Sequence, residues 1–183
     1  MTNKQATTPR DRSVQGTPEA WYRLRLFNYF RSFITLLFIA IYFNGWLLKL
    51  IPEEFAQPEL FISASFFYFI ASLIFITGIN YRIPRLDTQV IIHTLVDITC
   101  IIILMHATGG VRTGLGMLLI ISTSMTSIFL HRKITILFSA IAALSIIGEQ
   151  IYSQIIYTDY SPAFTQAGLL GILIFISAYL TIH

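Results

Sequence analysis

The stretch Ala107 to Lys133, ATGGVRTGLGMLLIISTSMTSIFLHRK, decides how the rest of the chain reads. A glycine-rich turn opens it, an apolar segment with Ser and Thr along its middle follows, and Arg132-Lys133 close it. Gly109, Gly110 and Gly114 permit positive backbone dihedrals that other residues resist, so the chain reverses direction here within a few residues. Two membrane helices must meet at this turn, which also holds Arg112. The segment Leu115 to Leu130 carries Ser122, Thr123, Ser124, Thr126 and Ser127. A hydroxyl in hydrocarbon is tolerated mainly by bonding its own backbone or a neighbouring helix. This segment is therefore a candidate central helix.

Composition sets the class. Of 183 residues, 55% are hydrophobic and 11% charged, whereas charged residues make up about 25% of a typical soluble domain. The chain is expected to be an all-α, polytopic membrane protein with six transmembrane helices. Six helices of about 20 residues use about 120 positions, which leaves short loops, one tail and no room for a soluble domain. The net charge of +3 does not indicate nucleic acid, because the basic residues flank apolar runs and serve orientation. Cys100 is the single cysteine, which excludes an intrachain disulfide and a CxxC redox or zinc motif.

Six spans follow outward from the opening stretch: Ser32 to Leu50, Leu60 to Ile79, Thr88 to Met105, Leu115 to Leu130, Ile134 to Ile156 and Ala163 to Ile182. Residues 1–31 are expected to be a cytoplasmic tail and an interfacial segment, and residues 32–183 the transmembrane domain. In the interfacial segment Arg23, Arg25 and Arg31 alternate with Trp21, Tyr22, Phe27, Tyr29 and Phe30, as arginines snorkelling to lipid phosphates do. Lys4, Arg10, Arg12, Arg23, Arg25, Arg31, Arg82, Arg85, Arg132 and Lys133 fall on one side of the membrane, against Lys49 and Arg112 on the other. Both termini are then cytoplasmic. No signal peptide is apparent, and the sixth span ends flush at His183, as in a chain that continues into the cytoplasm.

Three ionisable groups fall inside the spans: His93 and Asp97 in the third, Glu149 in the fifth. An acid at a helix centre costs about 2.5 to 3.5 kcal/mol on insertion scales, so each needs a partner inside the bundle. Counted by depth, Asp97 meets Ser122 and His93 meets Thr126. Glu149 has Asn44 and Arg112 within reach, and the counting does not choose between them. These groups serve either to fix helix packing or as a proton path, ligand site or partner-sensing site. Catalytic motifs are absent: no GxSxG, HExxH or GxGD pairing occurs, and the four histidines, His93, His106, His131 and His183, share no metal-ligand spacing. Ala163, Ala167 and Gly171, with Ser139 and Ala143, form small-residue stripes that allow close helix contact. No internal repeat or matching pair of broken helices suggests a transporter.

The entry RLRLFNYFRSFI, the acid-bearing TLVDITCIIILMHATGG, the segment GLGMLLIISTSMTSIFL and AIAALSIIGEQIY occur in an order and spacing that resembles the six-span N-terminal sensor region of the PilS family of membrane histidine kinases. The resemblance covers most of the chain. It implies a sensor in the bacterial inner membrane that detects pilin or another membrane signal and regulates type IV pilus gene transcription. It also implies PAS and kinase domains outside this chain, with ATP and Mg expected there and no cofactor here. Implied partners are membrane lipid, a pilin transmembrane helix, a second copy through the parent kinase, and a response regulator of the PilR type. From another class, a small six-span transporter or channel would place Asp97 and Glu149 in its pathway.

Overall fold

The structure is a computed structural model that describes residues 18–46, 57–83, 85–156 and 163–182. Six α-helices follow one another up and down: α1 Pro18–Phe43, α2 Pro58–Tyr81, α3 Leu86–Ala107, α4 Met117–Phe129, α5 Arg132–Ile156 and α6 Phe164–Ile182, with a 3-10 turn at Gly110–Thr113 before α4. No strand occurs among the described residues. The helices α1, α2, α3, α5 and α6 are long and apolar enough to cross a membrane, and α4 is a shorter apolar helix. The six-helix, all-α membrane fold expected from composition is the fold observed.

Local chemistry explains most helix ends. Pro18 and Pro58 open α1 and α2, where a missing N–H costs nothing, and Glu19 and Glu59 sit in first turns that favour negative charge. At the end of α2, Arg82 adopts the left-handed conformation at φ 55°. Its N–H donates to the Ile79 carbonyl at 3.3 Å, and that of Ile83 donates to Gly78 at 3.2 Å, the paired bonds of a Schellman cap. Leu130 is extended, and the His131 carbonyl accepts from Ile134 and Thr135, so α4 and α5 join in a tight corner. Gly109, Gly110 and Gly114 have φ of 94°, 85° and 74°, the positive values that the glycine-rich turn predicts.

Two expectations need correction. The first span was placed at Ser32 to Leu50, with Arg31 in an interfacial segment before it. Instead α1 is helical from Pro18, so the 31/32 boundary falls inside it, and Arg31 is buried near its middle. The aromatic and basic residues belong to the helix itself, whose outward face carries Tyr22, Leu26, Tyr29 and Phe33. Secondly, α4 has 13 residues, about 20 Å of helix against about 30 Å of hydrocarbon. The 3-10 turn and the Gly114–Gly116 segment lengthen that crossing. Gly110 and Val111 are buried there, and irregular backbone at membrane depth is tolerated when enclosed by protein. The tail 1–17 and most of the IPEEFAQPE and YTDYSP loops lie outside the described residues.

Helices α1, α2 and α3 pack in sequence; α3 also meets α4 and α5, and α6 packs on α4 and α5. The helix α3 is thus the shared wall of both halves, with Cys100, Ile101, Leu104 and Met105 fully enclosed. Between α5 and α6 a Cβ added at Gly171 would lie 3.4 Å from that of Ala143. Ser139, Ala143 and Ala167 are buried as well, so the small-residue stripes serve contact within the bundle. One end of the bundle gathers Arg82, Arg85, Arg132 and Lys133, and is called the basic end; the other holds the glycine turn.

Gly116 shows how closely α4 and α6 approach. A Cβ there would meet Leu170 Cδ2 at 2.3 Å, with Met105 Sδ at 3.4 Å, whereas a Cβ at Gly148 meets nothing within 4 Å. Gly116→Ala should therefore destabilise the bundle by roughly 1 to 3 kcal/mol through overpacking, while Gly148→Ala should leave stability unchanged or raise it. Thermal unfolding of both variants in detergent checks this, and equal effects would contradict the close approach.

Candidate functional site

Three consecutive helices carry polar side chains at helical spacing: Asn28, Arg31 and Thr35 on α1; Ser65, Tyr68 and Ser72 on α2; Gln89, His93 and Asp97 on α3. All nine are buried, because spacings of three and four residues put each set on one helix face. These faces converge at mid-bundle on Asp97, which is fully enclosed. Arg31 Nη1 donates to Asp97 Oδ1 and forms an ion pair with it. The Tyr68 hydroxyl donates to the same oxygen at 2.9 Å, and Ser122 of α4 donates to Oδ2 at 2.7 Å. Four helices therefore meet on one carboxylate.

The guanidinium is held from its other side too. Its Nη2 donates to Asn28 Oδ1 at 2.9 Å and lies 3.3 Å from His93 Nδ1. The rings of Phe75 and Tyr68 stand 4.9 Å and 5.7 Å from its central carbon, within cation–π range. The His93 ring stacks on Phe75 with centroids 3.9 Å apart. Asn28 Nδ2 donates to the Ser72 carbonyl at 3.0 Å, and the Ser32 and Ser72 hydroxyls are 2.5 Å apart, which ties α1 to α2. A small crevice of about 20 Å³ lies over this cluster between α1 and α4. Phe27, Phe30, Ile34, Leu118 and Ile121 form its apolar lip, over Arg31 and Asp97.

The Asp97 to Ser122 contact is the one that depth counting predicts. Its companion, His93 to Thr126, is not found: Thr126 pairs with Thr94 at 2.7 Å, and His93 turns to Arg31 and Phe75. Depth was right, but Thr94 lies about 100° further round the helix than His93. Beyond this seam, Ser124 bonds Ser177 of α6, so α4 links both layers through hydroxyls.

Glu149 forms a second cluster, nearer the glycine turn. Its Oε1 accepts from Ser153 at 2.7 Å and lies 3.3 Å from His106 Nδ1, and its Oε2 accepts from Gln150 at 2.6 Å. Gln150 in turn accepts from the Ala163 N–H at 3.0 Å, which ties α5 to the start of α6. Neither Asn44 nor Arg112 is among the partners of Glu149; Asn44 is exposed and bonds the Ala40 carbonyl of its own helix at 2.8 Å. Glu149 is buried while Gly148 beside it is exposed. Arg31, Tyr68, Asn28 and His106 are the participants that sequence reasoning missed. Among the described residues, no group of three His, Cys, Asp or Glu side chains is placed to hold a metal ion.

The geometry defines a class: a polytopic helical membrane domain whose helices are joined at mid-depth by a buried ion pair. Residues 14–183 match the model of a family described as the PilS-like transmembrane domain, 6TM_PilS, and the chain belongs to that family. It is similar to a Pseudomonas aeruginosa protein named sensor protein kinase PilS, with 27% identity over 158 residues. That alignment covers 85% of this chain and 28% of the relative, so the chain corresponds to a minor part of that protein's length. No solved structure matches the chain.

Removing one partner of a buried pair strands a charge, which typically costs about 3 to 5 kcal/mol, whereas replacing both with apolar residues is often neutral. Arg31→Met and Asp97→Leu should each lower stability in detergent by that amount, and the double variant should lose less than either single one. Additive losses in the double-mutant cycle would mean that the two residues do not depend on each other.

Proposed function

We propose that the chain is the membrane sensor region of a two-component histidine kinase resembling PilS, that it lies in a bacterial inner membrane, and that it reports pilin to type IV pilus gene transcription. Family membership and the named kinase relative support the sensor reading. The observation that carries it further is the Arg31–Asp97 pair, which couples α1, α2, α3 and α4 at one point. A contact that prefers one arrangement of these helices shifts the whole bundle, and a coupling of about 1 to 3 kcal/mol is typical of such switches. In this reading the kinase, PAS and ATP-binding parts lie beyond this chain, a second copy pairs through them, and a PilR-type regulator receives the phosphoryl group.

Orientation follows from charge. With Arg31 moved into the interior, the basic end still has Arg23, Arg25, Arg82, Arg85, Arg132 and Lys133, against Arg112 at the glycine-turn end among the described residues. The basic end is therefore cytoplasmic, and the transmembrane domain starts near Pro18. A transporter or channel would need Asp97 and Glu149 on one path, but they sit in separate clusters with separate partners.

Glu149 is buried and bonded within its own cluster, so it offers no surface to a partner helix. The crevice between α1 and α4 is the better entrance, because its lip is apolar and its floor is the ion pair. Single cysteines at Phe30 or Ile121, in a Cys100→Ala background of the intact kinase, should crosslink to a co-expressed pilin helix more strongly than a cysteine at Gly148. Equal yields, or yields no higher than with an unrelated single-span helix, would overturn this entrance. In the same kinase Asp97→Leu should uncouple a pilin-promoter reporter from pilin level, and Asp97→Asn, which keeps the hydrogen bonds, should do so less. An unchanged reporter in both would remove the pair from signalling.

A further inference from the structure

Among the described residues, five buried side-chain atoms have no hydrogen-bond partner: Nε of Arg25, Nε of Arg31, Oδ1 of Asp87, Oε1 of Gln89 and Nε2 of His93. All five belong to residues between the basic end and the central ion pair, on α1 and α3. An unpaired polar atom is costly in hydrocarbon, and native structures satisfy such atoms with protein or ordered water. Their clustering in one half of the bundle therefore asks for a common explanation.

His93 shows what that explanation is. A guanidinium can only donate, so His93 Nδ1, 3.3 Å from Arg31 Nη2, accepts, and the ring proton sits on Nε2. That N–H is an unused donor in a residue that is 3% exposed. One helical turn nearer the basic end, on the same face of α3, Gln89 is equally buried and its Oε1 is an unused acceptor. Its amide group is fixed the other way round, because Nε2 donates to the Ile83 carbonyl at 2.9 Å. Ile83 belongs to the exposed corner between α2 and α3. A water that accepts from His93 and donates to Gln89 meets both needs. Beyond Asp97 the character changes: Ile101, Leu104, Met105, Leu119 and Ile146 are apolar and enclosed.

We propose that ordered water enters the bundle at its basic end and forms a chain past Gln89 and His93 to the Arg31–Asp97 pair, which is thereby hydrated from one side of the membrane only. The inlet runs along the first 12 residues of α3, about 16 Å, and stops at the apolar plug. It does not rest on the sensor reading, since it follows from the unpaired atoms alone. Water in this inlet supplies replacement partners when the ion pair loosens, so the pair opens more readily toward the basic end than toward the glycine turn.

The test uses the chain in lipid bilayers with nitrogen-15-labelled histidine, and measures magnetisation transfer from water by solid-state NMR. His93→Gln assigns the signal. The His93 ring nitrogen should receive water magnetisation at a rate comparable to that of exposed His131; a silent His93 beside a responsive His131 would overturn the inlet. A second measurement avoids dependence on one label. In a Cys100→Ala background, Gln89→Cys should react with a membrane-impermeant thiol reagent about tenfold faster than Leu104→Cys, as thiol access dictates, and only from the basic end. Equal rates, or reaction only from the glycine-turn end, would overturn it as well.

Discussion

Hydrocarbon does not solvate charge, and this constraint organises the bundle. Asp97 at the middle of α3 and Arg31 at the middle of α1 would each cost about 2.5 to 3.5 kcal/mol alone in a membrane on insertion scales. Each removes the penalty of the other only if α1 and α3 hold one rotation and one depth. Tyr68 and Ser122 extend the same demand to α2 and α4. Lipid-embedded helices gain no hydrophobic drive toward one another, so it is this bonding, with small-residue contacts such as Gly171 to Ala143, that selects one packing among many similar ones. Replacing a buried ion pair by apolar residues is often neutral, so the pair adds little net stability beyond holding its two members together.

Much of the fold was legible because membrane spans declare themselves by composition and length. The glycine turn was readable too, since positive φ at Gly109, Gly110 and Gly114 is a property of residue type. Depth could be counted from helical rise, and this found Asp97 with Ser122. Azimuth could not, so Thr126 was matched with His93 rather than with its neighbour Thr94. Arg31 was misread because an arginine among aromatics looks interfacial whether or not its helix begins earlier. The available signal was the buried stripe Asn28, Arg31 and Thr35, repeated as Ser65, Tyr68 and Ser72 on the next helix. His106 escaped notice for another reason: its histidine was weighed as a metal ligand, while its role is to face Glu149 across two helices.

The two polar clusters differ in what they join. The Glu149 group ties α3, α5 and the start of α6 near the glycine turn, whereas the Asp97 group holds α1 to α4 at mid-depth. The helix α3 takes part in both, and α4 reaches α6 through Ser124 and Ser177. The bonded groups thus connect α1 to α3 and α4, and α4 to α6.

The joining of α1 to α4 at mid-depth depends on Arg31 and Asp97 forming a contact pair inside the bilayer. Solid-state NMR on the chain in lipid, with nitrogen-15 arginine and carbon-13 aspartate, measures this directly through dipolar coupling between guanidinium and carboxyl. Asp97 assigned by Asp97→Asn should show a guanidinium nitrogen within about 4 Å, as a hydrogen-bonded ion pair requires, and the coupling should vanish in Arg31→Met. A carboxyl of Asp97 with no arginine coupling, alongside an Arg31 guanidinium coupled to lipid phosphorus, would return that arginine to the interface and contradict the account.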